Sequence, residues 1–509
     1  MNKKPRRGTE PLPVGKAPTH PVLGQAYPRS IVDWEGSTYA LLPASIRRPK
    51  LLAVVGDTKD LRRAESDTGS DGLALCPLSA DNLQVLRQRL FWLRPRLLGQ
   101  RTGGGCGDRL GLATPGHVRA VRGTTVVPVF AQQSVRENVR TGRTPRQVID
   151  DAAWGILQEG WRELWGADAD HLKTPEDIDP FARAGFSFYT IDPGAHVDNE
   201  AHDADASVLA GKWSALPWTE LRDSPEAMVS RYLDRTVRAE DLELVFDRVH
   251  LQRAACKYGR ALAHVAYMYG QVVERLRGAP FEVEVSVDET ETPTSPLEHW
   301  FIASELKRLG VQWVSLAPRY VGRFEKGVDY IGSLTDFERD FAAHAAIART
   351  LGPYKLSLHS GSDKFSIYPI AMRHTMGRVH LKTAGTSYLE ALRTISSANP
   401  GLFREILDFG RGRYETDKVS YHVSADPARV PAAASLPDGR LPAVLEQFDG
   451  REVLHVTFGS VLERFGLSLK ETLTRHEELY YTTLQAHFER HLAPFSKNPT
   501  AQSSKKESS

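Results

Sequence analysis

His359 directly follows a segment, residues 354–358, in which apolar and polar side chains alternate. Because strand side chains point to opposite faces in turn, Lys355, Ser357 and His359 share one face of the predicted strand. A small polar loop, residues 360–366, comes next. An imidazole at the end of such a strand can bind a metal ion or transfer a proton.

Further ionisable side chains stand within or at the ends of other segments with a strand pattern. They are Asp168, Asp170, His171, Asp192, Glu284, Asp288, His380 and Lys382. Buried charges must be paired with one another or bound to a metal ion. Two or three imidazoles with a carboxylate would bind Zn, Mn, Co, Ni or Fe(II). The residue types therefore predict a divalent metal site with acids and bases beside it.

Each of these residues, taken alone, also has a structural interpretation. A single histidine at a strand end is more often hydrogen-bonded than metal-bound, and the chain has 17 histidines. Asp170 could cap the following helix, and residues 288–294 could form an acidic turn. The loop 361–364 could be an ordinary turn or could offer backbone N–H groups to an anion. Lys382 could form a Schiff base or pair with a carboxylate.

Strands and helices in regular alternation must position these side chains. Candidate strands are residues 109–114, 126–132, 163–170, 186–192, 281–288, 312–317, 354–359 and 379–383, and candidate helices are residues 144–160, 242–278, 296–309, 336–351 and 386–397. Eight such units predict an α/β fold of the (β/α)8 TIM-like barrel type, which binds ligands at the carboxyl ends of its strands. The apolar runs 421–424 and 453–458 either replace one of these strands or belong to a C-terminal extension with the helix 469–491.

The sequence divides into four predicted regions. Residues 1–29 and 495–509 are rich in small, polar and basic residues, which predicts two disordered tails. Residues 30–102 predict a small α/β module with a strand at 51–55 and a helix at 81–90. Residues 103–494 predict the barrel with its C-terminal helical extension.

Composition excludes several classes of function. The 65 Lys and Arg residues nearly balance the 63 Asp and Glu residues, so the chain lacks the basic field typical of nucleic-acid binding. Three cysteines without Cys-x-x-Cys spacing exclude a disulfide scaffold and indicate a reducing compartment. The sequence contains no run of about 18 apolar residues, so we predict no membrane span. We therefore expect a cytoplasmic protein that acts on a small neutral or anionic molecule.

Six motifs occur in one order along the chain and resemble the tagaturonate epimerase family. They are GDRLG at 107–111, FAQQSVREN at 130–138, GADADH at 166–171, VSVDETETPT at 285–294, HSGSDKF at 359–365 and KTAGTSYLE at 382–390. The resemblance extends from about residue 103 to 491. It implies a metal-dependent barrel enzyme of hexuronate catabolism that interconverts D-tagaturonate and D-fructuronate.

The resemblance also implies roles for individual residues. Asp170 and Glu284 match the acid/base pair. His171 and His359 match metal ligands, with His380 as the third. Lys326 matches a substrate-binding residue, for which Arg319 and Lys364 are alternatives by position.

Three other functions fit the same residues. Relatives of this family act on neutral ketohexoses, so fructose/tagatose 4-epimerisation is one alternative. A metal-dependent aldolase would also form an enolate by cleaving the sugar, but it would release the fragments. The third is a non-catalytic barrel that binds sugar acids.

Overall fold

The computed structural model describes residues 20–45, 48–65, 67 and 72–496. The chain divides into two compact units. The smaller contains the described residues up to Leu93 together with Ala153–Arg162, and the larger contains Arg94–Ala152 and the described residues from Glu163 onward. The larger unit therefore begins ahead of residue 103, where the sequence pattern placed the start of the barrel.

An antiparallel sheet forms the centre of the smaller unit. Its strands, in spatial order, are β1 Val32–Trp34, β2 Ser37–Leu42, β3 Leu51–Val55 and β4 Leu73–Pro77. Helix α1, Ala80–Arg89, follows, and the Ser79 side chain caps it by accepting the Asn82 backbone N–H. The small α/β module predicted from the sequence is confirmed.

A closed barrel of eight parallel strands forms the larger unit. In chain order its strands are β5 Gly103–Gly107, β6 Val127–Ser134, β7 Gly166–Leu172, β8 Phe188–Ile191, β11 Glu282–Ser286, β12 Ser315–Ala317, β13 Lys355–Leu358 and β14 Val379–Lys382. β9 Thr236–Ala239 and β10 Leu242–Val245 form a separate hairpin between the fourth and fifth barrel strands. The barrel closes where β14 pairs with β5, which confirms the predicted TIM-like fold.

Helices follow most barrel strands and continue beyond the last one. They are α2 Thr114–Val121, α3 Val135–Thr141, α4 Pro145–Glu159, α5 Pro175–Ala184, α6 Ala206–Ser214, α7 Pro225–Tyr232, α8 Arg248–Leu276, α9 Pro296–Arg308, α10 Leu334–Leu351, α11 Tyr368–Thr375, α12 Thr386–Ala398, α13 Pro400–Asp417, α14 Phe448–Val456, α15 Phe458–Arg475 and α16 Glu477–Leu492. Local sequence sets several starts: Ser134 with Glu137 and Ser295 with Glu298 form capping boxes. Helices α13 to α16 are the C-terminal extension.

The prediction that residues 109–114 form the first barrel strand is wrong. The first barrel strand is β5, the glycine-rich segment Gly103–Gly107. A side chain has no room there, because a Cβ atom on Gly103 would lie 2.2 Å from His380 Nδ1 and one on Gly105 would lie 2.3 Å from Gln132 Oε1. The bulk of these neighbouring side chains therefore requires glycine at both positions, although glycine weakens a strand.

Two apolar runs that resembled strands have other structures. Residues 453–458 lie in α14 and at the start of α15, and residues 421–424 form an irregular segment after the 3₁₀ turn Lys418–Ser420. The predicted helix 469–491 is two helices, which meet at His476. Both runs belong to the C-terminal extension, as one of the two sequence-based alternatives stated.

Both predicted tails lie largely outside the described residues. Within the first, the 3₁₀ turns Pro21–Gln25 and Pro28–Ser30 are present, so regular structure begins ahead of residue 30. Within the second, the 3₁₀ turn Ala493–Phe495 ends the described regular structure. Across the described residues, every helix is too short or too polar to span a bilayer.

Polar side chains fill much of the barrel interior. Asp168, Thr190, Glu284, Ser315, Lys355, Ser357, His380 and Lys382 are all at most 1% exposed. They lie at alternate positions of their strands, as the polar face of the segment 354–359 predicted. An interior of this kind is unusual because TIM barrels are normally filled with branched apolar side chains.

Candidate active site

Three potential metal ligands meet where β7 and β13 end. Asp170 and His171 belong to β7, and His359 directly follows β13. Their ligand atoms, one from each residue, all lie within 4.8 Å of one another. His359 Nε2 is 3.0 Å from Asp170 Oδ1, and the centroids of the two imidazole rings are 4.4 Å apart. The carboxyl ends of the strands thus bring together three residues that the sequence indicated.

A further carboxylate holds each imidazole through its other nitrogen. His171 Nδ1 lies 2.9 Å from Asp192 Oδ2, and His359 Nδ1 lies 2.7 Å from Asp288 Oδ1. An imidazole that donates its Nδ1 proton keeps the Nε2 lone pair for an ion, and carboxylate partners of this kind are typical of metal-binding histidines. Burial would lower the pKa of His359, but Asp288 and Asp170 outweigh burial and raise the pKa to about 10. The surroundings of the imidazole therefore favour positive charge, which a cation bound at Nε2 would supply in place of the second ring proton.

Asp170 and His171 both face this group, although consecutive strand residues normally point to opposite faces. His171 has a left-handed backbone with a φ of 55°, and the pairing of β7 with β8 shifts register between Ala169 and Leu172. Irregularities of this kind redirect side chains beside active sites. Thr174 occupies the N-cap of α5, so Asp170 is not the helix cap that one interpretation of the sequence allowed.

A buried lysine, Lys382, connects the acids beneath the imidazoles. Its Nζ lies 2.8 Å from Asp168 Oδ2, 2.8 Å from Asp170 Oδ1 and 2.9 Å from Glu284 Oε1. Burial disfavours the ammonium, but the three carboxylates outweigh burial and raise the pKa of Lys382 well above its usual value. Burial would raise the pKa of Glu284, yet Lys382 above all lowers it to about 2. These contacts favour a fixed positive charge over an amine that could form a Schiff base.

We expect Lys382→Met to lower the free energy of unfolding by about 3–5 kcal/mol, because it leaves three buried carboxylates without their shared cation. Urea unfolding at pH 7 in the presence of a chelator would measure this loss. The control is Lys307→Met, which removes an exposed lysine and should change stability by less than about 0.5 kcal/mol. Equal stability of the two variants would contradict this account of the cluster.

His380 faces the barrel interior but does not join the group at the strand ends. It precedes Lys382 by two positions on β14 and pairs in register with Ser357 and Gly103, one layer deeper in the barrel. Its ring stacks on Phe188 with centroids 5.2 Å apart, and burial lowers its pKa to about 3. The structure therefore brings together two of the three predicted histidine ligands and leaves His380 below them.

The C-terminal helix α16 anchors the loop that follows His359. Asp363 Oδ1 lies 2.7 Å from His487 Nε2, and Asp363 Oδ2 lies 2.9 Å from Arg451 Nη2. The backbone N–H of Asp363 donates to His491 Nε2 at 3.0 Å. Asp363 and the two histidines are close enough to hold an ion, but a guanidinium already neutralises the carboxylate and the His491 nitrogen already accepts a bond. We interpret this group as structural.

Residues 421–425 form one wall of the site, and two glutamates hold them in place. The backbone N–H of Ser424 lies within hydrogen-bonding distance of Glu325 Oε2, at 2.9 Å, and of Glu452 Oε2, at 3.2 Å. The backbone N–H of Ala425 donates to Glu452 at 2.9 Å. Burial, then a hydrogen bond and repulsion from Glu325, raise the pKa of Glu452 to about 8. Burial and the neighbouring Glu325 therefore favour the protonated form of Glu452.

This raised pKa predicts a pH dependence of stability. The usual pKa of a glutamate is 4.5, so the folded protein binds the Glu452 proton more tightly than the unfolded chain does. The stabilisation is complete below about pH 4.5 and is lost as the pH rises through about 8. We expect Glu452→Gln to flatten the decline of the urea midpoint between pH 5 and pH 8. Glu463→Gln, at an exposed position of α15, is the control and should leave the decline unchanged.

Two cavities open onto the imidazoles. The outer cavity has a volume of about 430 Å³ and the inner cavity one of about 50 Å³, and both are lined by Lys326, His359, Ser360 and Tyr421. Among the described residues, Asp170 and Lys382 line the inner cavity, whereas Glu284 lines neither. Glu284 approaches the site from beneath, with Oε1 3.9 Å from His359 Nε2.

Lys326 reaches both cavities, and its Nζ donates to Ser360 Oγ at 2.9 Å. The side chain is 26% exposed, so a substrate can contact it. Lys364 is enclosed instead, because its Nζ donates to three backbone carbonyls at 2.6–3.0 Å. Arg319 lines the outer cavity but not the inner one. Of the three cations considered from the sequence, Lys326 is the best placed for a substrate that contacts Asp170.

The family profile described as tagaturonate epimerase matches residues 27–495. The chain belongs to the tagaturonate epimerase family. A relative from Thermotoga maritima, named tagaturonate/fructuronate epimerase, is 48% identical over 419 residues, which are 82% of this chain and 85% of the relative.

Solved structures of a second family member have the same fold. The fructuronate-tagaturonate epimerase from Cohnella laeviribosi, in its native form and with one glycerol bound, is 39% identical to this chain. Each structure superimposes with a TM-score of 0.87 and covers 92% of this chain and 96% of its own.

Two charged residues of this tagaturonate epimerase family member, Arg136 and Glu289, lie within the sequence motifs. The sequence predicted no role for either of them. Glu289 Oε1 lies 3.8 Å from His171 Nε2 and 3.3 Å from Arg136 Nη2. Arg136 belongs to the motif at 130–138 and Glu289 to the motif at 285–294. The motifs marked both positions, but only the fold shows that they meet, because the two residues are 153 positions apart.

Proposed function

We propose that this protein interconverts D-tagaturonate and D-fructuronate. The observation that carries the proposal is the convergence of His171, His359 and Asp170 at the carboxyl ends of the barrel strands, with ligand atoms within 4.8 Å of one another. Membership of the tagaturonate epimerase family and the activity for which the Thermotoga maritima relative is named support it.

We also propose that His171 and His359 hold one divalent cation through Nε2, with Asp170 beside it. Nitrogen and oxygen donors of this kind fit Zn, Mn, Co, Ni or Fe(II). The hydrogen bonds from both Nδ1 atoms to Asp192 and Asp288 supply the required tautomer. When bound, the ion would act as a Lewis acid that polarises the ketone of the substrate.

The connectivity of the substrate restricts the reaction. The stereocentre that inverts lies one carbon beyond the acidic α-carbon of the ketone, so simple enolisation does not reach it. In a retro-aldol route, a base removes the hydroxyl proton at the stereocentre, the bond to the α-carbon breaks, and an enolate and an aldehyde result. The aldehyde turns, the enolate carbon attacks its other face, and an acid returns the proton to the new alkoxide.

Asp170 and Glu284 are the proposed acid and base. Asp170 lines the inner cavity and would exchange the hydroxyl proton of one epimer, whereas Glu284 would serve the other. Both carboxylates contact the Lys382 ammonium, which fixes their positions and favours their ionised forms. Lys326 would contact the polar end of the substrate from the cavity side.

Incubation of the purified protein with tagaturonate, in a series of divalent metals, tests this function. Chromatography should show fructuronate and no three-carbon fragments. Fragments would instead indicate the aldolase, and binding without turnover in every metal would indicate the non-catalytic barrel. Faster turnover of tagatose than of tagaturonate would assign the protein to neutral ketohexoses.

A further inference from the structure

We propose that Arg136, together with Lys326, binds the carboxylate of the uronate substrate and that Glu289 occupies this carboxylate position until the substrate displaces it. The inference rests on the proposed function, because it assigns the group that distinguishes a uronate from a neutral ketose. Family resemblance pointed to Lys326 alone.

A single oxygen of Glu289 marks the position. Glu289 Oε1 lies 3.3 Å from Arg136 Nη2, 3.9 Å from Lys326 Nζ and 3.8 Å from His171 Nε2. Two cations and an imidazole thus surround one carboxylate oxygen of the protein itself. Arg136 is 35% exposed, and Lys326 and Glu289 are each 26% exposed, so a ligand can reach all three.

The position fits the substrate's connectivity. One carbon separates the carboxylate of tagaturonate from the stereocentre that inverts, so the carboxylate must bind close to the acid/base group. Arg136, Lys326 and Asp170 all line the inner cavity. A carboxylate held by Arg136 and Lys326 would therefore bind beside Asp170.

Other described cations near the two cavities are less suitable. Lys364 is enclosed by three backbone carbonyls, and Lys382 is surrounded by carboxylates. Arg109 is buried, is paired with Glu137 at 2.7 Å and stacks on an aromatic ring. Arg319 and Arg323 line only the outer of these two cavities.

Arg136 is also oriented to bind a carboxylate. Its guanidinium lies 5.3 Å from the ring centroid of Tyr421, a cation–π contact that restricts its motion. A planar guanidinium can donate two parallel hydrogen bonds to one carboxylate, which an ammonium cannot do. With a uronate bound, Arg136 would donate to the substrate in place of Glu289.

Displacement of Glu289 should make the site respond differently to a uronate and to a neutral ketose. A neutral ketose brings no carboxylate, so it would leave the contact between Glu289 and Arg136 intact. A uronate must compete with Glu289 for the two cations. Arg136 therefore contributes to uronate binding, and Glu289 opposes it.

Steady-state kinetics of Arg136→Gln, Lys326→Met and Glu289→Gln on tagaturonate would test the proposal. Inhibition constants for tagatose as a neutral ligand would be measured alongside. We expect Arg136→Gln to raise KM for tagaturonate roughly 10–100-fold, since hydrogen bonds to charged groups contribute about 1.5–3 kcal/mol. The inhibition constant for tagatose should stay within about twofold. Glu289→Gln should lower KM for tagaturonate, and Arg136→Lys should restore part of the loss.

Arg140→Gln is the matched control. Arg140 lies one turn further along α3 and 5.0 Å from the same Tyr421 ring, so its loss disturbs the wall without removing a cation from Glu289. It should leave the ratio of the two constants unchanged. Metal content of each variant, measured by elemental analysis, separates an effect on the carboxylate from an effect through His171.

Two results would overturn the proposal. One is an equal loss for tagaturonate and tagatose in Arg136→Gln, and the other is a selective loss of tagaturonate in Arg319→Gln alone. Failure of the proposed function is distinguishable, because the wild-type protein would then not convert tagaturonate to fructuronate. Calorimetric titration with tagaturonate would still compare Arg136→Gln with wild type in that case.

Discussion

Replacing His359 with alanine should remove the metal ion and abolish epimerase turnover. His359 Nε2 points at the same space as Asp170, and Asp288 holds the opposite ring nitrogen. Loss of a carboxylate partner alone typically weakens metal binding 10–100-fold, so loss of the ligand itself should weaken it more than about 100-fold. Calorimetric metal titration and elemental analysis after dialysis measure the effect.

Three further variants test whether the loss of metal is specific to His359. Asp288→Asn should weaken metal binding by the smaller factor of about 10–100. His250→Ala, at an exposed position of α8, should retain one ion per chain. His380→Asn should also retain it, because the structure places His380 below the site. Full metal occupancy in His359→Ala would remove His359 from the site, and loss of the ion in His380→Asn would restore His380 as a ligand.

Asp170→Asn and Glu284→Gln should each reduce turnover by about 10²–10⁴-fold, the usual contribution of a general acid or base. Both variants keep the size and shape of the side chain but can no longer exchange a proton. Both directions of the reaction should be affected, because an enzyme does not alter the equilibrium between its substrates. Initial rates from tagaturonate and from fructuronate measure the effect.

Metal content decides how Asp170 acts. Asp170 lies beside both imidazoles, so its loss could reduce turnover by releasing the ion. Full occupancy with low turnover would support the acid/base role, and full occupancy with turnover near wild type would exclude it. In that case Glu284 would work with another partner, and Asp288 is better placed than Asp192 because it lines the outer cavity, whereas Asp192 does not.

Seven of the eight barrel strands lie close to their predicted positions because an alternating pattern identifies a strand locally. β5 was missed because its glycines do not favour a strand. The reason for them, the bulk of His380 and Gln132 on the two neighbouring strands, involves residues that are distant in the chain. The helices at 453–458 were missed for a related reason, since a short apolar run fits either a strand or a buried helix.

The sequence by itself determined the barrel class, the family resemblance and the residue types that could bind a metal. It also indicated Asp170, His171 and His359, because residues at the carboxyl ends of parallel strands converge in any barrel of this class. Only the tertiary structure placed His380 a layer deeper, enclosed Lys364 and brought Arg136 to Glu289. How deep a residue lies along a strand, whether a cation is buried and which distant segments meet all depend on how the whole chain packs. Local sequence spacing carries no information about these three properties.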